Sequence, residues 1–283
     1  MLSGPTSSYA VHLTERDELL HLHWGPRIAL ADAEELAARP LPGGASFEAP
    51  LDGHEEYPVE GGPRFVRPAL SVRTPERRGT EWTFDRYDTD GDELRLRFRD
   101  AGLTITLHYR TRGDVVERWT VLDNEGTEPL ELLRGDSATW TLPDREEWQL
   151  LARPRTLGRR VTAGAFPLTY GEKIIGSRRG HTGHQYLPWV ALDTDATEER
   201  GEVYGCALGW SGSWRIAVAQ LPDAPRADHR RRRVRRVRAA EPRRRGVLHH
   251  APLRRPVERR RLRRRQPHLA RLPADVRHPG RRP

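Results

Sequence analysis

The chain has 283 residues but a single cysteine, a single methionine and, against 48 arginines, a single lysine, Lys173. One cysteine excludes an intrachain disulfide, and Cys206, set in the apolar run VYGCALGW, is expected to act as a small buried hydrophobe. No window approaches the roughly 20 apolar residues of a membrane span. The first twenty residues also lack a basic start followed by an apolar core. These absences lead to the expectation of a soluble, cytoplasmic protein with no membrane partner. No stretch has βαβ periodicity, which excludes a parallel α/β fold. Metal ligands are equally scarce. His181 and His184 stand three apart with no third ligand at a suitable spacing, so neither a metal nor a cofactor is expected. Asp88-Thr-Asp90-Gly-Asp92 begins like a calcium loop but lacks Gly at position 6 and Glu at position 12; it reads as a hairpin turn.

Aromatic residues are absent from the last quarter. All eight Trp, seven Tyr and five Phe precede residue 222, enough to build a core there. Residues 224–283 contain 23 Arg and four acids and lack Ser, Thr, Asn, Lys, Ile, Cys, Met and every aromatic type. That segment carries +19, so with +9 for the whole chain residues 1–223 carry −10. The basic overall charge therefore belongs to the tail, and an acidic body argues against a specific nucleic-acid partner. The tail reads either as a disordered basic arm for polyanions or as a gene read out of frame, since one lysine against 48 arginines indicates a GC-rich gene. The abrupt loss of ten residue types at one point favours the second reading. The expected division is a β-sandwich over 1–222 and a low-complexity Arg/Pro-rich tail over 223–283.

Within the body, residues 9–13 and 19–24 alternate apolar with polar around a polar turn and read as a hairpin. Residues 32–39 (DAEELAAR) form the one convincing helix, stopped by Pro40. Glycine and proline dominate 41–68, a long loop, and loops this long in compact domains are usually functional or disordered. Strands are expected over 80–87, 94–99, 103–109, 115–122, 130–133, 137–141, 186–192, 203–210 and 214–220. Between 80 and 141 they recur every 8 to 15 residues, separated by turns such as Asp100-Ala101-Gly102 and Asn124-Glu125-Gly126. This spacing indicates antiparallel all-β structure, a sandwich or barrel.

Two ordered motifs carry a family resemblance. Tyr170, Gly171, Ser177, Arg178, Arg179, Gly180, Thr182, His184, Gln185 and Pro188 are followed by Gly201, Glu202, Tyr204, Gly205, Leu208, Ser211 and Gly212. Upstream, residues 56–84 begin EYPVEGGPRFVRPA. Together they resemble the N-terminal domain of glycoside hydrolase family 36, the bacterial α-galactosidases and raffinose-type hydrolases, over residues 8–221. Gly183 stands where the family often has Ser. Arg64 replaces an Asp, and the basic residue comes one place later, at Arg67.

The resemblance implies a large antiparallel β-sandwich that supports a catalytic barrel, promotes homo-oligomer formation and contributes residues to a sugar pocket. It also implies a retaining α-galactosidase whose two catalytic aspartates lie in that barrel, so no catalytic residue is expected in this chain. Substrate-binding candidates are Asp52 and Arg67, the nearest equivalents of an acidic and a basic residue near the substrate, with Tyr57 and Trp82 as surfaces for a sugar ring. The expected ligand is an α-galactoside. A free-standing carbohydrate-binding sandwich is the alternative, and a polyanion-binding protein acting through the arginines is a third reading.

Overall fold

A computed structural model of the chain describes residues 1–40, 54–62, 64, 66–74, 78–126, 130–143, 145, 147–152, 164–183, 185–197, 199–220 and 235–240, the last six and residues 164–165 as backbone only. In chain order the elements are β1 (Leu2–Ser3), β2 (Ser7–Leu13), β3 (Leu19–Pro26), α1 (Leu30–Ala38), β4 (Leu70–Arg73), β5 (Thr83–Asp90), β6 (Glu93–Asp100), β7 (Leu103–Arg112) and β8 (Val115–Asn124). There follow β9 (Glu131–Thr141), β10 (Gln149–Ala152), β11 (Gly164–Pro167), β12 (Gly171–Ser177), β13 (Trp189–Asp193), β14 (Tyr204–Ala207), β15 (Trp214–Gln220) and β16 (Arg235–Ala240). All pairings between these strands are antiparallel, and they build sheets ordered β1-β2-β3, β5-β6-β7-β8, β11-β10-β13-β14 and β12-β15-β16-β9-β4. The chain is thus the all-β sandwich that the strand spacing indicates, with α1 as the one helix among the described residues.

Period-2 alternation explains why the inner faces cohere. In β7, Leu103, Ile105, Leu107 and Tyr109 are buried while Thr106, His108 and Arg110 face outward. In β6, Leu96 and Phe98 point inward and Arg95, Arg97 and Arg99 outward. The outward arginines meet Asp85, Asp88 and Asp90 of the edge strand β5, and a charged edge of this kind opposes pairing with other chains. Gly91, at φ 60°, turns β5 into β6, so the Asp88–Asp92 acids form a hairpin. β15 is different: Ile216, Ala217, Val218 and Ala219 are all buried, as in a strand covered on both faces. The inner faces converge on Tyr9, Trp24, Ile105, Tyr109, Trp140, Trp148, Tyr204 and Trp214. Cys206 packs in the same core, and burial pushes its thiol up to about 12, which leaves it unreactive at neutral pH.

The structure joins what the sequence separates at 130–141. Arg134-Gly135-Asp136 resembles a turn, yet β9 runs through it, because Gly135 and Arg134 pair with Leu70 and Ser71 of β4. The Asp136 carboxylate is buried between Arg134 at 2.7 Å and Arg215 at 2.9 Å. Backbone residues 235–240 form β16, paired to β15 on one side and to β9 on the other. The physical reason is backbone hydrogen bonding: β9 and β15 would otherwise each carry an unpaired edge into the interior.

On the outer face of the β5–β8 sheet, Glu93 accepts hydrogen bonds from Arg95 (2.7 Å), Arg110 (2.5 Å) and His108 (3.0 Å), and His108 stacks on Trp119. Burial raises the Glu93 carboxyl, but these three donors outweigh it and hold the group at about 2 rather than 4.5. A depressed folded-state value contributes stability above pH 4.5 that is lost as pH falls toward 2. Because Arg95 and Arg110 are about a third exposed, screening reduces the contribution to about 1–2 kcal/mol. Glu93→Gln is therefore expected to lower urea-unfolding stability by that amount at pH 6 and by about a quarter as much at pH 2.5. An equal loss at both values would exclude the charge as the cause.

Candidate functional site

The glycine- and proline-rich loop is bound into the fold along its second half. Glu56 N–H donates to the Leu19 carbonyl and His21 N–H to the His54 carbonyl, both at 2.8 Å, which attaches 54–56 to β3. On the other side Glu60 N–H donates to the Leu70 carbonyl (2.8 Å) and Ala69 N–H to the Pro58 carbonyl (2.6 Å), which attaches 58–60 to β4. Gly79 allows the next contact: at φ 90°, a Cβ there would lie 2.6 Å from the Glu60 carbonyl oxygen. Thr80 N–H then donates to that same carbonyl. The segment is a strand-like insertion between two sheets.

This stitching decides where the candidate residues go. Tyr57 is only 8% exposed, its hydroxyl donates to the Asp136 carbonyl, and burial, with Asp136 next, raises its phenol well above the ordinary range. It is a core residue whose ring reaches one pocket. Trp82 is half-buried and lines the same pocket, a hollow of about 200 Å³ with Leu107, Ile105 and Phe98 of the β5–β8 sheet in its wall. Its rim holds the β2–β3 turn at Arg16, Asp17 and Glu18, together with Glu81 and the Glu55–Arg64 pair. Arg64 Nε donates to Glu55 Oε1 at 2.8 Å and Nη1 to the Gly61 carbonyl at 2.9 Å. Arg67 goes elsewhere: half-exposed, it pairs with Glu172 of β12 at 2.6 Å and does not line the pocket. Asp52 and His184 lie outside the described residues. The fold therefore brings Tyr57 and Trp82 together and keeps Arg67 apart.

Glu55, Arg64, Glu81 and Arg16 are pocket residues that sequence reasoning missed. Arg64 carried a signal, since it stands where the resembled motif has an acid, but its partner nine residues away is set by the loop's path. An aromatic surface with a few charged groups around an apolar wall can hold a small polar ring such as a sugar.

Beneath the loop lies a buried ionic cluster. Glu56 Oε1 contacts Arg118 Nη1 and the Tyr9 hydroxyl, each at 2.6 Å, and Oε2 lies 3.2 Å from His21 Nδ1. Tyr109 adds a hydrogen bond at 3.2 Å. Arg118 also donates to the Thr139 carbonyl, and its guanidinium lies 4.7 Å from the ring centres of Tyr109 and Trp140. Burial would raise the Glu56 carboxyl, but Arg118 and the hydrogen bonds from His21 and Tyr9 hold it below the usual range. All of its partners are structural, so the cluster positions the loop.

Known proteins share this architecture. The N-terminal domain model of glycosyl hydrolase family 36 matches residues 17–227. Alpha-galactosidase AgaA of Geobacillus stearothermophilus is 29% identical over 260 residues, 79% of this chain and 35% of that protein. A crystal structure of an AgaA variant in complex with raffinose superposes with a TM-score of 0.73 at 26% identity, covering 84% of this chain and 36% of the other. Another AgaA variant, in complex with stachyose, has a TM-score of 0.72 at 23% identity over 89% of this chain and 39% of its own, a likeness of fold. The chain spans about a third of the length of these relatives. From the match over residues 17–227, this chain belongs to glycosyl hydrolase family 36 and carries its N-terminal domain.

Proposed function

We propose that the chain is the N-terminal β-sandwich part of a retaining α-galactosidase that acts on terminal α-galactosides such as raffinose-type sugars. The observation that carries this reading is the superposition on an AgaA variant in complex with raffinose. In this role the sandwich packs on a catalytic barrel, assists homo-oligomer formation and lends Asp52, Arg67, Tyr57 and Trp82 to sugar binding, while both catalytic aspartates belong to the barrel. Tyr170, Ile174 and Trp210, each 44–57% exposed, support a surface built to be covered. Among the described residues no helix is long and apolar enough to cross a membrane, and we place the enzyme in the cytoplasm. A non-catalytic carbohydrate-binding sandwich is the second reading, favoured by the pocket that Tyr57 and Trp82 share within one chain.

The residues after about 222 are, in this proposal, translated out of frame. The test is hydrolysis of p-nitrophenyl α-galactoside by two products of the gene. The 283-residue chain is expected to give no turnover, and the product with its frame corrected after codon 222 is expected to give turnover. Activity of the 283-residue chain that disappears on mutating an Asp or Glu within 1–223 would overturn the assignment of catalysis to the barrel. If all three frames end soon after codon 283 with no βα-repeating region, the out-of-frame reading fails.

A further inference from the structure

The hollow beside the β2–β3 turn divides into an apolar interior and a charged rim. Phe98, Ile105 and Leu107 form its floor, each at most 5% exposed. Two aromatic walls present carbon to it. The Tyr57 hydroxyl is committed to the Asp136 carbonyl, and Trp82 Nε1 is shut away from solvent, so the indole meets the hollow with ring carbon. Recognition by hydrogen bonding is left to the rim. There Arg64 is engaged by Glu55 and the Gly61 carbonyl. Asp17, Glu18 and Glu81 then stand with the single Arg16, a net charge of −2, and among the described residues none of these four side chains is in an ion pair. The turn holds its acids in place: Arg16 N–H and Glu18 N–H both donate to Thr14 Oγ1 at 3.2 Å, and Asp17, at φ 62°, takes a left-handed conformation that aspartate tolerates. The volume of about 200 Å³ lies below the roughly 300–1,000 Å³ of pockets for drug-sized ligands and admits one small ring.

We infer that this pocket takes the end of a neutral glycoside, one pyranose deep, and that Asp17 and Glu81 make it discriminate against anionic sugars such as uronates. The inference rests on the sugar-binding reading of Tyr57 and Trp82 and adds to it the residues that set the choice. Carbon walls suit the C–H face of a pyranose, and rim carboxylates accept hydrogen bonds from its hydroxyls. A uronate instead brings a full charge to a rim of the same sign, over an apolar floor that screens it poorly. Arg16 offsets one of the three acids and is itself exposed, so the balance stays repulsive.

The test uses the full chain and two ligands that differ only at C6, methyl α-galactopyranoside and the corresponding uronate, titrated by ligand-observed NMR. The Arg-rich tail attracts any anion, so only binding that disappears in Trp82→Ala is counted. The neutral glycoside is expected to bind at least about tenfold more tightly than the uronate. Asp17→Asn with Glu81→Gln keeps an acceptor at both places and removes two charges. That ratio is then expected to fall to within about twofold, while affinity for the neutral glycoside changes by no more than about threefold. Neither position is buried, so the fold should hold. Because the tail is common to both chains, this comparison stands even if Trp82→Ala does not fold. Equal binding of the two ligands, or an unchanged ratio in the double variant, overturns the inference and leaves the sugar-binding reading intact. No binding of the neutral glycoside, or equal binding by a folded Trp82→Ala, overturns both.

Discussion

Arg118→Leu is expected to destabilise the sandwich by about 3–5 kcal/mol, because it leaves Glu56 ionised and buried without its main counter-charge. In a domain of this size that corresponds to a fall in Tm of about 10 °C, measurable by calorimetry at neutral pH. The pair is fully enclosed, with side chains 2% and 0% exposed, so solvent does not screen the loss. Neutralising both partners together in Arg118→Leu, Glu56→Leu should recover part of it, since the penalty comes from the widowed charge more than from the absent pair. The sign with pH follows from the depressed Glu56 carboxyl. Its contribution is present at neutral pH and fades as the group protonates in acid, so the defect of the single variant should shrink there. A Tm change under about 3 °C in Arg118→Leu would contradict this account.

Trp140→Ala should be comparably severe, at about 3–5 kcal/mol. Trp140 is 1% exposed and packs against Trp24 and Tyr9, with ring centres 5.5 and 5.6 Å away, and it carries Arg118 on its face. Removing the indole opens a cavity lined by rigid rings that cannot collapse and also strips one wall from the guanidinium. Trp210→Ala is the matched control, since Trp210 is 44% exposed, and it should change stability by no more than about 0.5 kcal/mol. Urea unfolding of both variants checks this. Equal midpoints for the two would refute the assignment of the core to the face that Trp140 occupies.

Local pattern fixed a good part of the molecule. The alternation of β6 and β7, the Gly91 turn, the β2–β3 hairpin and the helix ending at Ala38 before Pro40 were all legible, since each depends on side chains a few residues apart. Cys206 was legible as a buried hydrophobe for the same reason. The short strands β4, β10, β11 and β12 were not, because four to seven residues with glycine or charge among them carry too little periodicity. Their pairing partners determine them instead: β12 is held along its whole length by β15.

The candidate site divides in the same way. The family resemblance picked out Tyr57 and Trp82, which share a pocket, and composition marked 41–68 as a loop of consequence. It could not show that Tyr57 is held from behind by the Asp136 carbonyl, 79 residues away, or that Arg67 is drawn off to Glu172. Nor could it find Arg118 as the partner of Glu56. Sequence alone determines that strands alternate, where the chain turns and which residues prefer the interior, because those preferences are local. Tertiary structure alone decided which carboxylate meets which guanidinium and which strand lies between β9 and β15, because those choices depend on hydrogen-bonding edges and charges brought together from distant parts of the chain.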